Sequence, residues 1–66
     1  MKIQVNGENR EIRSGETLSS LTKKLKPVRQ KIVVLLNDEL IPADKQAGHV
    51  LKQGDRVEIL TFAGGG

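Results

Sequence analysis

The chain closes on Val57-Glu58-Ile59-Leu60-Thr61-Phe62-Ala63-Gly64-Gly65-Gly66, an apolar alternating stretch that runs directly into three glycines. Glycine loses more backbone entropy on ordering than any other residue and has no side chain to bury, so a terminal run of it adds nothing to stability. Its use must be chemical. Without Cβ atoms, Gly65 and Gly64 behind it can thread a channel in a partner enzyme that any side chain would block. The α-carboxylate of Gly66 is unhindered. A carboxylate is a poor electrophile, but its adenylate reacts readily because AMP is a good leaving group. On this reading Gly66 is the reacting residue, Gly65 and Gly64 enter the partner's active site, and residues 63–66 form a flexible tail on a domain spanning 1–62. The plainer alternative is a frayed terminus. Frayed ends are usually mixed and polar, whereas this one is pure glycine against an apolar strand.

The rest of the chain offers little chemistry of its own. His49 is the lone imidazole and has no acidic or nucleophilic neighbour in sequence, which suits a surface or strand-edge position. Ser19 and Ser20 have no base to activate them. Asp38, Glu39 and Asp44 lack metal-site spacing, and with no cysteine there is neither a disulfide nor a thiolate site. The expectation is therefore a protein with no catalytic residues, metal or bound cofactor, one that supplies reacting atoms to other enzymes.

At 66 residues the chain is a single small domain, burying about 60 % of the surface its unfolded form exposes. The net charge of +3 and pI near 9.6 permit contact with an acidic partner or with nucleic acid. Single-strand nucleic-acid readers need stacking aromatics, and Phe62 is the only aromatic residue. Lys23, Lys24, Lys26, Arg29 and Lys31 then read as a solvated, partner-steering cluster. No stretch has the length of a membrane span or the core of a signal peptide, so the expected setting is the cytoplasm, without membrane or nucleic-acid contact.

The elements that must position the tail follow from patterning. Met1, Ile3 and Val5 alternate with Lys2 and Gln4, the period of a half-buried strand. Asn6-Gly7 is a turn signal, since both residues tolerate positive φ. The return strand is expected over Asn9–Arg13, and a four-residue loop would set Val5 opposite Arg10 and Ile3 opposite Ile12. Thr17 is a plausible N-cap for a helix from Leu18 to about Lys26, with Leu18, Leu21 and Leu25 on one stripe and Ser19, Ser20, Lys23 and Lys24 facing solvent. Pro27 ends it. Lys31 to Asn37 reads as a strand apolar on both parities, either covered on both faces or keeping an apolar outer face for a partner. Asp38-Glu39 is a turn, Leu40-Ile41 a short edge strand closed by Pro42, and Ala43 to Leu51 is irregular. Lys52-Gln53-Gly54-Asp55 turns into the last strand, with Val57 and Ile59 on one face and Leu60 and Phe62 on the other. One of those pairs belongs to the core. Leu60 and Phe62 are a candidate docking patch beside the tail, the alternative being that Phe62 caps the edge of the core.

This order predicts an α+β, ubiquitin-like β-grasp fold: a mixed sheet of four to five strands, first and last strands adjacent, one main helix across one face. Asn6-Gly7, Gly15-Glu16-Thr17-Leu18, Val34-Leu35-Leu36-Asn37 with Ile41-Pro42, Gly54-Asp55 before Val57-Glu58-Ile59, and Phe62-Ala63-Gly64-Gly65-Gly66 together resemble the bacterial thiamine-biosynthesis sulfur carriers, the ThiS/MoaD ubiquitin-like family. The resemblance covers essentially the whole chain. It implies that an adenylyltransferase of the ubiquitin-activating (ThiF) type uses ATP and magnesium to adenylate Gly66. A sulfur donor system then makes a thiocarboxylate, and a ThiG-type thiazole synthase takes the sulfur. The terminal Gly65-Gly66 by itself is equally a feature of molybdopterin, tungstopterin or cysteine sulfur carriers and of ubiquitin-like protein modifiers.

Overall fold

The computed structural model describes residues 1–25 and 31–62. In chain order the elements are β1 (Lys2–Val5), β2 (Glu8–Glu11), α1 (Leu18–Leu25), β3 (Lys31–Leu36), β4 (Glu39–Leu40), the single-turn α2 (Ala43–Gln46) and β5 (Arg56–Phe62). They form one five-stranded sheet of order β2-β1-β5-β3-β4. β1 and β5 run parallel and the other pairs antiparallel. The first and last strands therefore lie side by side, and the last one is central. This is the predicted β-grasp arrangement.

The hairpin is tighter than expected. Val5 pairs with Glu8, Ile3 with Arg10 and Lys2 with Glu11, so only Asn6 and Gly7 lie in the loop and the return strand is Glu8–Glu11. Asn6 at φ 51° and Gly7 at φ 83° take the left-handed conformations that a two-residue type I′ turn requires and that its twist favours over a longer loop. Ile12 then lies opposite Met1, its N–H donating to the Met1 carbonyl at 2.8 Å. A second correction concerns the turn before β4: it is Asn37-Asp38, at φ 51° and 70°, one residue earlier than expected, because Asn and Asp tolerate that region better than Glu. Ile41 is buried beyond the end of β4, and α2 replaces the first part of the predicted irregular stretch.

One face of the sheet carries the core. Ile3, Val5, Val34, Leu36, Val57 and Ile59 point to the side covered by Leu18 and Leu21 of α1, with Ile41 and Leu51 closing the periphery. Leu25 completes the predicted stripe as a half-buried neighbour. The Lys26 and Pro27 terminus of the helix falls outside the described residues.

Thr17 caps α1 as expected, its Oγ1 accepting from the Ser20 N–H at 3.1 Å. Ser20, however, is half-buried and not turned to solvent, because its hydroxyl donates to the Thr17 carbonyl and lies 3.1 Å from Glu16. Ser19 is half-buried as well. Glu16 receives Lys24 Nζ at 2.8 Å while its own side chain is only 6 % exposed. That ammonium, helped by the Ser20 hydroxyl, holds the Glu16 carboxyl below its ordinary value of 4.5 against the opposing effect of burial.

A carboxyl with a depressed folded-state pKa contributes stability above its unfolded value, and that contribution is lost as pH falls through the folded value. Glu16→Gln is thus expected to melt lower than the parent at neutral pH and to lose less on acidification from about pH 5 to about pH 3. Melting curves followed by circular dichroism test this. Some acid sensitivity will persist through Glu11, which the Met1 ammonium at 2.8 Å also holds below its ordinary value. Parallel acid profiles for variant and parent would refute the assignment to Glu16.

Candidate functional site

β5 is the element that delivers the C-terminal residues, and it is anchored before it does so. Its entry is fixed by Asn37, whose side-chain carbonyl accepts the Arg56 N–H at 2.9 Å and whose amide donates to Asp55 at 3.1 Å. Asp55 also accepts the Lys52 N–H at 2.8 Å, and Arg56 reaches Asp38 at 2.9 Å. Asn37 and Gly54-Asp55, two landmarks of the sequence, are thereby parts of one latch. On one flank β5 pairs with β3 along its whole length, from Val57 opposite Leu36 to Phe62 opposite Lys31. β3 thus pairs with the strand as far as Phe62, the last of the described residues.

The alternation along β5 decides between the two apolar pairs. Val57 and Ile59 are 1 % and 9 % exposed and belong to the core, whereas Leu60 is 44 % exposed. Phe62 pairs with Lys31 at the same parity as Leu60. Leu60 is paired with Val33, and Leu35 with Leu40, which is 57 % exposed. Val33 and Leu35 are half-buried, and among the described residues no helix lies over them. These four residues form an apolar strip on the open face of the sheet, running from the β4 edge to the end of β5. The toward-solvent half of β3 thus matches the second of its two sequence readings, an outer face left apolar. On the β2 and β1 side the same face turns polar with Asn9, Gln4, Arg56 and Glu58.

Leu60 is therefore placed where a partner can reach it, on the strand that leads to the tail. Gly64, Gly65 and Gly66 lie outside the described residues. His49 is exposed and serves the fold through its backbone, its carbonyl accepting from the Leu18 N–H at 2.8 Å. Among the described residues no group of three His, Cys, Asp or Glu side chains is placed to hold a metal ion, and no helix is long and apolar enough to cross a membrane. The contribution of Val33 to the strip, and the Asn37 latch, depend on pairing between elements distant in sequence, while Leu40 joins through the short β3–β4 hairpin.

A mixed five-stranded sheet with β5 central between β1 and β3, and a single main helix on one face, define a ubiquitin-like β-grasp protein. The chain belongs to the ThiS family, whose sequence model matches residues 3–66. It is similar to the crystal structure of the thiamine biosynthesis protein ThiS from Geobacter metallireducens, at a TM-score of 0.82 and 30 % identity with both chains fully covered. It is 23 % identical to the sulfur carrier protein ThiS of Escherichia coli over the full length of both. It is also 35 % identical over all 66 residues to a thiazole synthase of Paramagnetospirillum magneticum, of which it spans 20 % of the length.

Proposed function

We propose that this chain is the sulfur carrier of thiamine biosynthesis and that it works through a thiocarboxylate at Gly66. The match of the ThiS family model, which extends through residue 66 and so includes the glycine run, carries this reading. In the cycle, a Gly66 carboxylate oxygen attacks the α-phosphorus of ATP, with magnesium held by a ThiF-type adenylyltransferase, and pyrophosphate leaves. A sulfur nucleophile from a donor system then displaces AMP to leave the thiocarboxylate. A ThiG-type thiazole synthase takes that sulfur while building the thiazole, a partnership supported by the similarity to thiazole synthases. Gly65 and Gly64 pass through the enzyme's channel. The carrier itself is a cosubstrate of these cytoplasmic enzymes, contributing no acid, base or metal.

Leu60, with Phe62 two residues further on, docks the partner. The strip of Leu60, Val33, Leu35 and Leu40 offers the apolar area needed to hold the carrier while the tail reacts.

The test is the intact mass of the protein after incubation with the activating enzyme, ATP, magnesium and a sulfur source. A gain equal to one sulfur for one oxygen is expected. Isopeptide adducts on lysines in place of that gain would make the chain a protein modifier instead. In the same assay Leu60→Asp is expected to fold as the parent does, because the residue is exposed, and to raise the KM for the carrier by roughly 10–100-fold, the range of an interface anchor costing about 1–3 kcal/mol. An unchanged KM would remove Leu60 from the docking surface.

A further inference from the structure

The two flanks of β5 differ. β3 accompanies it to Phe62, but β1 pairs with it only through Gln4–Arg56 and Val5–Val57 before the Asn6-Gly7 turn carries the chain away. The Asn6 N–H reaches the Val57 carbonyl at 2.9 Å, and the Asn6 side-chain carbonyl then takes the next exposed donor, the Ile59 N–H, at 2.8 Å. Asn6 thus stands in for a missing strand by one residue and stops there. Backbone groups alternate in direction along a strand, so the Ile59 carbonyl and both backbone groups of Thr61 point to the same vacated flank. No hydrogen bond among the described residues engages them. Grooves lie along both sides of this edge, one lined by Asn6, Gly7, Glu58 and Leu60, the other by Asn6, Arg10, Leu25 and Thr61. A strand laid on the edge would have room for its side chains on either face.

We propose that this edge is a strand-addition site, occupied by an extended segment of the enzyme that activates the terminal carboxylate, which pairs with the backbone of Ile59 and Thr61. The proposal rests on the carrier reading. One feature favours this occupant. Glycines have no side chains to recognise, so an enzyme can grip Gly64 to Gly66 only by their backbone N–H and C=O groups, which is what a paired strand does. The free edge lies at the end of β5 that leads in sequence to those glycines.

Chemical synthesis of the chain with an ester in place of the Leu60–Thr61 amide deletes the Thr61 N–H and keeps every side chain. The melting temperature is expected to fall only slightly, since that N–H has no partner among the described residues. An ester that removes the Leu60 N–H, on the β3 side, will lower it more. The Kd for the activating enzyme is expected to rise about three- to tenfold for the Thr61 ester, the worth of one hydrogen bond. In the native chain the Thr61 amide should exchange rapidly with solvent when free and become protected in the complex. If the enzyme binds and loads the native chain while the Thr61 amide stays unprotected and the ester binds with unchanged Kd, the strand-addition proposal fails and the carrier reading stands. Protection of Thr61 in the free protein that grows with its concentration would assign the edge to a second copy and overturn the proposal. If the native chain neither binds nor gains sulfur with an enzyme active on another carrier, both readings fall.

Discussion

A chain carrying Gly65→Val will fold as the parent does and lose sulfur loading by about a hundredfold or more. The core is built from Ile3, Val5, Leu18, Leu21, Val34, Leu36, Ile41, Leu51, Val57 and Ile59, all upstream of the change. Its melting curve therefore has no reason to move. In the activating enzyme, by contrast, a Cβ and two methyl groups must enter a channel shaped for a bare backbone. A misplacement of the reacting carboxylate by about 1 Å is enough to cost about 100-fold. Removing Gly66 altogether draws the carboxylate back by about one residue, some 3.5 Å, and should abolish loading. The mass assay reads both variants directly, with circular dichroism as the control for folding. Loading of Gly65→Val at the parent rate would show that the tail does not thread a confined site.

How far this was legible from the sequence depends on where the determining interactions lie. The glycine run was conspicuous because it departs from what packing asks of a terminus. The β-grasp order followed from alternation in Met1 to Val5 and Val57 to Ile59 with a single helical stripe between them, and the sheet order bears it out. The hairpin loop length was not decidable from alternation, for a physical reason. Two-residue and four-residue loops differ by two positions, so both put Ile12 on the face of Ile3 and Val5, and only the conformational demand of Asn6-Gly7 separates them. A four-residue helix such as α2 is too short to show periodicity. The burial of Ser20 against Glu16 was hidden for another reason, since two polar residues at a helix entry look solvated until their hydrogen bonds are seen. Within the candidate site, Leu60 could be picked out from β5 itself. Its partners Val33, Leu35 and Leu40 required the register of three strands.

The other large effect is on stability, and it comes from the buried side of the sheet. Leu18 is 0 % exposed and sits at the first position of α1, fixed there by the hydrogen bond from its N–H to the His49 carbonyl. Truncation to alanine leaves a cavity that rigid neighbours on the helix and sheet fill only in part, at a cost of about 2–5 kcal/mol. A domain of this length has a total stability of roughly 3–10 kcal/mol, so the loss consumes a large fraction of it. For so small a domain each kcal/mol corresponds to about 4–8 °C, and Leu18→Ala is expected to melt at least about 10 °C below the parent or to be largely unfolded at 25 °C. Leu60→Ala removes the same atoms from a site that solvent already reaches, and the change in stability is expected to stay within about 0.5 kcal/mol. The two leucines thus separate the faces of the sheet by their consequences: one should lose the fold, the other only affinity for the enzyme. If Leu18→Ala melted within a few degrees of Leu60→Ala, the helix would not be holding the sheet as described. The platform that aims β5 would then have to be sought in the strand pairings alone.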